Sequence, residues 1–145
     1  MRDLKYDFAA IEPKWQKKWQ ETGVYQTGNH SDKPKFYALV EFPYPSGQGL
    51  HVGHARPYTA MDVVARKRRM DGYNVLFPMG YDAFGLPAEQ YAVQTGQHPR
   101  VTTLANIANM SRQLHRMGLS FDDRRSFATI DPGYVRWTQW IFSRI

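Results

Sequence analysis

Residues 43–54 read Pro-Tyr-Pro-Ser-Gly-Gln-Gly-Leu-His-Val-Gly-His, and this stretch decides the fold class. Two prolines and two glycines within residues 43–49 predict a loop. The apolar run before it, residues 36–42, is typical of a buried strand. After the loop, residues 50–70 contain one breaker, Pro57, which is close enough to a helix start to be tolerated. The sequence therefore predicts a strand, a loop and a helix in direct succession.

The same pattern continues along the chain. A helix is predicted over 8–21, ended by Gly23, and a strand over 73–78, after Asp71-Gly72. A connection follows over 79–87 and leads into a helix over 88–94. Two more helices are predicted, one over 102–117 with Thr102 or Thr103 as cap and one from Asp131 or Pro132 to the last residue. Strands that alternate with helices predict a parallel sheet, with ligands at the carboxyl ends of its strands. Both informative loops, 43–49 and 79–87, should then face one cleft.

Composition limits the classes of protein. The chain has 145 residues, is 42% hydrophobic and 14% aromatic, and carries a net charge of +6, which favours one globular unit with a polyanionic partner such as RNA or a nucleotide. It has no cysteine, so disulfides and thiolate metal sites are excluded, and its five histidines are not grouped as metal ligands. The first thirty residues contain no apolar segment suited to a signal peptide or membrane span. We expect a soluble, cytoplasmic protein with no membrane partner.

The loop and the helix after it have the outline of a phosphate site. Glycines let the backbone approach a ligand, a helix amino terminus attracts anions, and His51 and His54 are three residues apart, so both can reach one anion. A dinucleotide fingerprint fits poorly, because Gly53 comes one residue late and no acidic residue stands about twenty positions on. The absence of Gly-Lys-Ser or Gly-Lys-Thr excludes a P-loop enzyme.

His51, Gly53 and His54 match the HxGH pattern of class I aminoacyl-tRNA synthetases and related nucleotidyltransferases. Two longer strings, Phe-Pro-Tyr-Pro-Ser-Gly at 42–47 and Asp-Ala-Phe-Gly-Leu-Pro at 82–87, resemble the leucyl-tRNA synthetases and separate them from the isoleucyl, valyl and methionyl branches. The resemblance covers nearly the whole chain and is densest over 42–89. It implies the first half of a doubly wound, parallel-sheet, Rossmann-like α/β nucleotide-binding domain of the HxGH type.

The resemblance also implies roles for individual residues. His51 and His54 would act as the catalytic pair on the ATP phosphates and Gly53 would leave room for the adenine. The implied ATP-binding set is His51, Gly53, His54, Pro45 and Gly49, and the implied amino-acid set is Phe42, Tyr44 and Asp82, with Asp82 pairing with the α-ammonium of leucine. Local sequence leaves open that Tyr44 is a core residue and that Asp82 is a turn or helix-cap residue.

The implied reaction is attack of the leucine carboxylate on the α-phosphorus of ATP, which gives leucyl-adenylate and pyrophosphate, followed by transfer to tRNA(Leu). ATP would enter with Mg²⁺, and no metal bound by the protein itself is expected in this chain. The expected organisation is an amino-terminal helix and connection over 1–35 and the first half of the catalytic domain over 36–145, truncated before the editing insertion. The helical spacing of Trp137, Trp140, Ile141 and Arg144, with no stop signal after them, predicts that the rest of the synthetase is missing.

Two departures and two alternatives qualify this interpretation. Tyr81 stands where the family usually has Trp, which affects pocket shape, and Asp123 places a charge where an aromatic residue would pack, which predicts local repacking or a weakened variant. The basic run Arg66-Lys67-Arg68-Arg69 is interpreted as a solvated helix face rather than a tRNA contact, and Trp137 and Trp140 as a core seam. The alternative functions are an inactive fragment that binds nucleotide or RNA and a class I synthetase for another aliphatic amino acid.

Overall fold

A computed structural model of the chain describes residues 6–45 and 49–145. In chain order its elements are α1 (Phe8–Thr22), β1 (Lys35–Tyr37), α2 (Val52–Met70), β2 (Asn74–Leu76), β3 (Gly80–Tyr81), α3 (Leu86–Thr95), α4 (Pro99–Arg116), a 3₁₀ turn (Asp123–Arg125), β4 (Phe127–Ala128) and α5 (Pro132–Phe142). The predicted helices are all present. Ser46, Gly47 and Gln48 of the predicted loop lie outside the described residues.

The strands form two parallel pairs, β1 with β2 and β3 with β4. The β1–α2–β2 unit is the predicted strand–loop–helix followed by its parallel partner, with Phe36 opposite Val75. The segment 74–81 bonds on both sides, since the Leu76 carbonyl accepts from Ala38 N at 2.8 Å and the Phe77 carbonyl accepts from Asp122 N at 2.9 Å. The predicted parallel α/β class is confirmed.

Two expectations about the strands are wrong in extent. The first strand ends at Tyr37 instead of residue 42, and the connection predicted over 79–87 contains β3. β3 is only two residues long and includes a glycine, so it carries no alternating pattern that marks a strand. Its pairing comes from β4, which lies 46 or more residues later in the chain, at Gly80–Phe127 and Tyr81–Ala128.

The core lies between the paired strands, α2 and α4. Phe77, Tyr58 and Met110 are almost completely buried, at 0%, 1% and 1% exposure, and Phe121 packs against Phe77 with ring centroids 4.3 Å apart. Helix α4 begins earlier than predicted, at Pro99, and its cap is His98 rather than Thr102 or Thr103. Proline presets the first helical turn, and His98 Nδ1 accepts from Arg100 N at 3.2 Å.

The basic run is not a uniform solvated face. The Arg66 guanidinium donates to Asp62 at 2.7 Å, to the Tyr25 hydroxyl at 2.8 Å and to the Gly118 carbonyl at 2.6 Å. Arg69 donates to Ser120 Oγ at 2.6 Å and to the Ser120 carbonyl at 2.9 Å. The interpretation is therefore wrong for these two arginines, whose guanidinium groups are hydrogen-bonded inside the protein. It holds for Lys67, an exposed residue that pairs with Asp71.

Two other expectations concern aromatic and acidic residues near the end of the chain. Trp137 and Trp140 are 56% and 51% exposed, so within the described residues they form no core seam. Asp123 is exposed and lies in an ion pair with His115 at 3.0 Å, and the expected local repacking or weakening stays a prediction. In the described part of the chain, no helix is both long enough and apolar enough to cross a bilayer.

Thr27 bonds the connection after α1 to the sheet and to Asp122. Thr27 N donates to Asp122 Oδ2 at 2.8 Å, and Thr27 Oγ1 donates to the Val75 carbonyl at 2.7 Å. Thr27 is 7% exposed and Asp122 is 1% exposed. Arg124 and Arg125 also approach the Asp122 carboxylate, so its charge is balanced where it is buried.

Candidate functional site

Two histidines form the amino end of α2. His51 is the N-cap, with extended backbone at φ −118° and ψ 173°, and its Nδ1 accepts from Gly53 N at 3.0 Å. In return His54 Nδ1 accepts from His51 N at 3.1 Å. The two imidazoles thus satisfy backbone N–H groups that a helix start leaves without partners, the task that Ser and Glu perform in the usual capping box.

This capping fixes what the histidines can offer to a ligand. Because each Nδ1 accepts a hydrogen bond, the proton of each neutral ring must be on Nε2, which is then a donor. The two rings lie 3.8 Å apart between centroids, so their donors are close together. Burial, followed by the neighbouring His51, lowers the pKa of His54, which favours the neutral donor form. The pair can therefore donate two adjacent hydrogen bonds to an anion.

Gly53 is required by the histidine beside it. A Cβ at this position would lie 2.8 Å from Cε1 and 2.9 Å from Nδ1 of His51, closer than side-chain contacts allow. The glycine therefore leaves space for the His51 imidazole. Its predicted role in making room for adenine stays a prediction.

Helix α4 holds the backbone on both sides of residues 46–48. Asn106 Nδ2 donates to the Pro45 carbonyl at 2.9 Å, and Leu50 N donates to Gln113 Oε1 at 2.7 Å. Gly49 has φ +151°, and a Cβ there would lie 2.5 Å from Gln113 Nε2. Sequence reasoning missed both amides, because they look like ordinary polar residues of a helix.

A cavity of about 230 Å³ lies beside the carboxyl end of β3. Its lining comprises Tyr44, Pro45, Asp82, Ala83, Phe84, Gly85, Pro87 and Ala88. Asp82 follows β3 directly, and its backbone N donates to the Pro43 carbonyl at 3.0 Å. The structure thus brings three predicted site residues together, Tyr44, Pro45 and Asp82.

The geometry excludes two of the alternatives for these residues, a helix cap at Asp82 and a core position for Tyr44. The N-cap of α3 is Gly85, with no side-chain cap, so Asp82 does not cap that helix. Among residues 6–45 and 49–145, no donor bonds to the Asp82 carboxylate, which leaves it available to a cation. Tyr44 is 59% exposed, so it is not a core residue of the described chain.

Phe42 lies apart from this cavity. Its ring packs edge-on against Phe127, with centroids 5.3 Å apart, and covers Gly80, where a Cβ would meet the ring at 2.6 Å. It supports the β3–β4 pair from one side, and the cavity lining does not include it. Phe127 and its strand were missed from the sequence together with β3.

Tyr58 connects the histidines with the segment that precedes the cavity. Its hydroxyl donates to the Glu41 carbonyl at 2.9 Å, and its ring lies 5.8 Å from that of His54. Burial, with the nearby charge of Glu41, raises the pKa of Tyr58 to about 12, so the phenol stays protonated. The residue is 1% exposed and fixes the distance between α2 and the chain leading to Tyr44.

A parallel α/β fold with paired imidazoles at a helix start and a carboxylate after a neighbouring strand defines an HxGH-type nucleotide-binding domain. The family model of class I tRNA synthetases (I, L, M and V) matches residues 14–145, and the chain belongs to this family. Within the family its relatives include the leucine--tRNA ligase of Bifidobacterium longum, 68% identical over 93% of this chain, and that of Alkaliphilus oremlandii, 60% identical over 97%.

Two solved structures are similar to the chain, and the leucyl enzyme is more similar to it than the methionyl enzyme is. The chain superimposes on Agrobacterium radiobacter LeuRS, from a ternary LeuRS-tRNA-LeuAMS complex, with a TM-score of 0.89 and 40% identity over 97% of its length. For Mycobacterium tuberculosis methionyl-tRNA synthetase bound by methionyl-adenylate the values are 0.55, 31% and 70%. The predicted resemblance to the leucyl branch is confirmed. The chain spans 15–18% of the length of the leucine--tRNA ligases named above and 18–19% of the two solved chains.

Proposed function

We propose that this chain is the amino-terminal, HxGH-bearing part of a leucine--tRNA ligase, which activates leucine with ATP and transfers it to tRNA(Leu). The observation that carries the proposal is the reciprocal cap of His51 and His54 at a helix start, in which each Nδ1 accepts from the backbone and each Nε2 is left to donate. The similarity to leucine--tRNA ligases supports the choice of amino acid.

The geometry suits adenylate formation, which needs no protein nucleophile. The leucine carboxylate attacks the α-phosphorus, and the bond to the bridging oxygen of pyrophosphate breaks. Negative charge then moves onto the leaving pyrophosphate, and neutral imidazole donors at the positive end of a helix dipole stabilise it. ATP brings Mg²⁺, which neutralises further phosphate charge. His51 and His54 therefore contribute charge stabilisation and positioning.

The amino acid is proposed to bind in the cavity beside β3. The Asp82 carboxylate pairs with the α-ammonium of leucine, and Tyr44 and Phe84 provide aromatic surface for its side chain. An aliphatic pocket separates substrates that differ by one methylene by only about 1–3 kcal/mol. We therefore expect leucine to be preferred over isoleucine, valine and methionine, but by a limited factor.

The remaining parts of the proposal concern partners and place. The remainder of the synthetase is expected to complete the ATP site and to bind tRNA(Leu), since this chain spans 15–18% of its relatives. We place the reaction in the cytoplasm, where a sequence without cysteine fits the reducing conditions. The same small coverage favours one alternative, in which the isolated chain binds nucleotide or RNA without catalysis.

Leucine-dependent exchange of labelled pyrophosphate into ATP tests the proposal. Two proteins are compared, the 145-residue chain alone and the Bifidobacterium longum ligase with this chain in place of its own corresponding segment. Isoleucine, valine and methionine are assayed in parallel, and Asp82→Ala is the control expected to lose exchange by weakening amino-acid binding. Exchange that favours leucine in the chimera supports the proposal. If the chimera shows exchange with none of the four amino acids, the proposal is contradicted. If the chimera prefers another of the four, its specificity is for that amino acid.

A further inference from the structure

The contacts from α4 to the backbone around residues 46–48 are both made by side-chain amides. Asn106 and Gln113 are seven residues apart, which is two helical turns, so they lie on the same face of α4 about 10 Å apart along its axis. One donates to the Pro45 carbonyl and the other accepts from Leu50 N. Both contacts are with backbone atoms, so they fix the path of the main chain on either side of the three residues.

The Leu50 contact lies next to the chemistry. Leu50 immediately precedes His51, whose backbone N and imidazole form the reciprocal cap with His54 and Gly53. A displacement of the Leu50 amide would move the start of α2 and with it both imidazoles. The close approach of Gln113 also explains the glycine at 49, since a Cβ there would lie 2.5–2.9 Å from the Gln113 amide atoms.

Helix α4 does not depend on these two amides for its own place in the fold. Its Thr103, Met110 and Leu114 are buried at 3%, 1% and 4% exposure, and they anchor the helix to the core. The amides are only half-buried. Their removal should therefore release the loop while the helix stays packed.

We propose that Asn106 and Gln113 are positioning residues that hold the HxGH loop so that His51 and His54 face the ATP phosphates. The inference rests on the proposed function for its catalytic consequence but not for the contacts themselves. Neither residue lines the cavity beside β3. They act through the backbone at Pro45 and Leu50, and misplacement of the reacting groups by about 1 Å can cost on the order of 10²-fold in rate.

Matched variants of Gln113 isolate its acceptor. Gln113→Met keeps the length of the side chain and removes the acceptor, whereas Gln113→Glu keeps an oxygen that accepts from Leu50 N. Ala108→Met places the same methionine on an exposed position of α4, away from the loop contacts. Asn106→Leu removes the other contact and serves as the second variant if Gln113→Met does not fold.

Hydrogen exchange at the Leu50 amide tests the contact in the 145-residue chain, with circular dichroism to check folding. We expect exchange to be about two- to tenfold faster in Gln113→Met and within twofold of the unmodified chain in Gln113→Glu and Ala108→Met. In Asn106→Leu we expect looser protection of the same amide, since both contacts hold one segment. Unchanged Leu50 exchange in a folded Gln113→Met chain overturns the proposal that Gln113 holds the backbone at Leu50.

The chimera with the Bifidobacterium longum ligase tests the catalytic consequence. The single-turnover rate of leucyl-adenylate formation should fall about 10- to 100-fold in Gln113→Met, with the leucine KM within twofold and the rate restored in Gln113→Glu. Faster Leu50 exchange without a slower adenylate rate overturns the positioning role. If the unmodified chimera forms no leucyl-adenylate, the proposed function fails. The Leu50 exchange alone then decides whether Gln113 holds the backbone at Leu50.

Discussion

The two ends of α2 use polar side chains in opposite ways. At the amino end, one ring nitrogen of His51 and one of His54 accept from backbone N–H groups, and the other ring nitrogen of each is left as a donor. Towards the carboxyl end, Asp62 accepts from Arg66 and from Ser120, and Arg69 donates to Ser120. These charged groups are therefore hydrogen-bonded within the protein. Charged residues with complete partners support the architecture, whereas residues with an unused donor are candidates for chemistry.

This difference is not visible in the kind of residue. The basic run looks like a surface for a polyanion, yet two of its arginines are partly buried and bonded to Asp62 and Ser120. Burial lowers the pKa of Arg69 and removes solvent from it, while hydrogen bonding to Asp62 raises the pKa of Arg66 against the effect of burial. Three predictions test whether the two ends of α2 divide function from stability, and a fourth tests an exposed pair elsewhere in the fold.

The largest effect is expected from replacing both histidines while keeping the cap. His51→Asp with His54→Glu retains side-chain oxygens that accept at the N-cap and N3 positions but carries no side-chain N–H donor. We expect the rate of adenylate formation in the chimera to fall about 10²- to 10³-fold with little change in thermal stability. The double alanine variant should lose the rate and also about 1 kcal/mol of stability. An active Asp/Glu variant would show that capping is all the histidines provide.

The next effect is on stability at the other end of α2. Asp62 is 7% exposed, and Asp62→Ala leaves Arg66 Nε and the Ser120 amide without their acceptor. We expect a loss of about 3 kcal/mol in the free energy of unfolding, measured with denaturant. Lys67→Ala on the same helix removes an exposed pair and should cost less than about 1 kcal/mol. Equal losses from the two variants would erase the contrast between buried and exposed charge.

A third, smaller effect should separate activity from stability at one residue. In Gly53→Ala the new Cβ displaces the His51 ring, so we expect the adenylate rate in the chimera to fall about tenfold by misplacement of the donor. Gly133→Ala is the matched control, because Gly133 is also the second residue of a helix and has open space around it. Helix propensity favours alanine at both positions by up to about 1 kcal/mol. An unchanged rate in Gly53→Ala would contradict the steric role.

The smallest effect concerns the pair of His115 and Asp123. The hydrogen bond to Asp123 raises the pKa of His115 above its ordinary value of 6.5. Its stabilisation should therefore be complete below that ordinary value and disappear as the pH rises through the raised pKa. We expect the difference in melting temperature between the unmodified chain and Asp123→Asn to shrink from about pH 6 to about pH 8.5. A difference that grows towards alkaline pH would assign the effect to another group.

Prediction from the sequence succeeded where local signals were strong. Breakers on both sides of residues 50–70 gave α2, and the loop before it located the histidines at the helix start. It failed for β3 and β4, because two-residue strands exist only through pairing between distant parts of the chain. The cap of α4 was also missed, since histidine is an unusual cap and Thr102 and Thr103 offered a more familiar one.

The candidate site divides in the same way. Tyr44 and Asp82 were assigned to one amino-acid site and line one cavity, because parallel strands bring their carboxyl ends to one edge. Pro45, assigned to the ATP site, lines the same cavity, and Phe42 does not. Asn106, Gln113 and Tyr58 were missed, since their roles depend on which backbone atom lies opposite them. The partners of Arg66 and Arg69 were missed for the same reason. Residue type gives the chemistry available, and packing decides whether it is used inside the protein or offered outside.

The Thr27 contacts have a consequence for how the chain unfolds. Thr27 precedes the predicted boundary at residue 35, yet its backbone N donates to the buried Asp122 carboxylate and its hydroxyl donates to the carbonyl of Val75 in β2. Removing it would leave Asp122 buried with one partner fewer, so the connection and the sheet should open as a single cooperative unit. The shortest piece of this chain able to fold then begins before Thr27, and amide protection at Thr27 should match that of the strands.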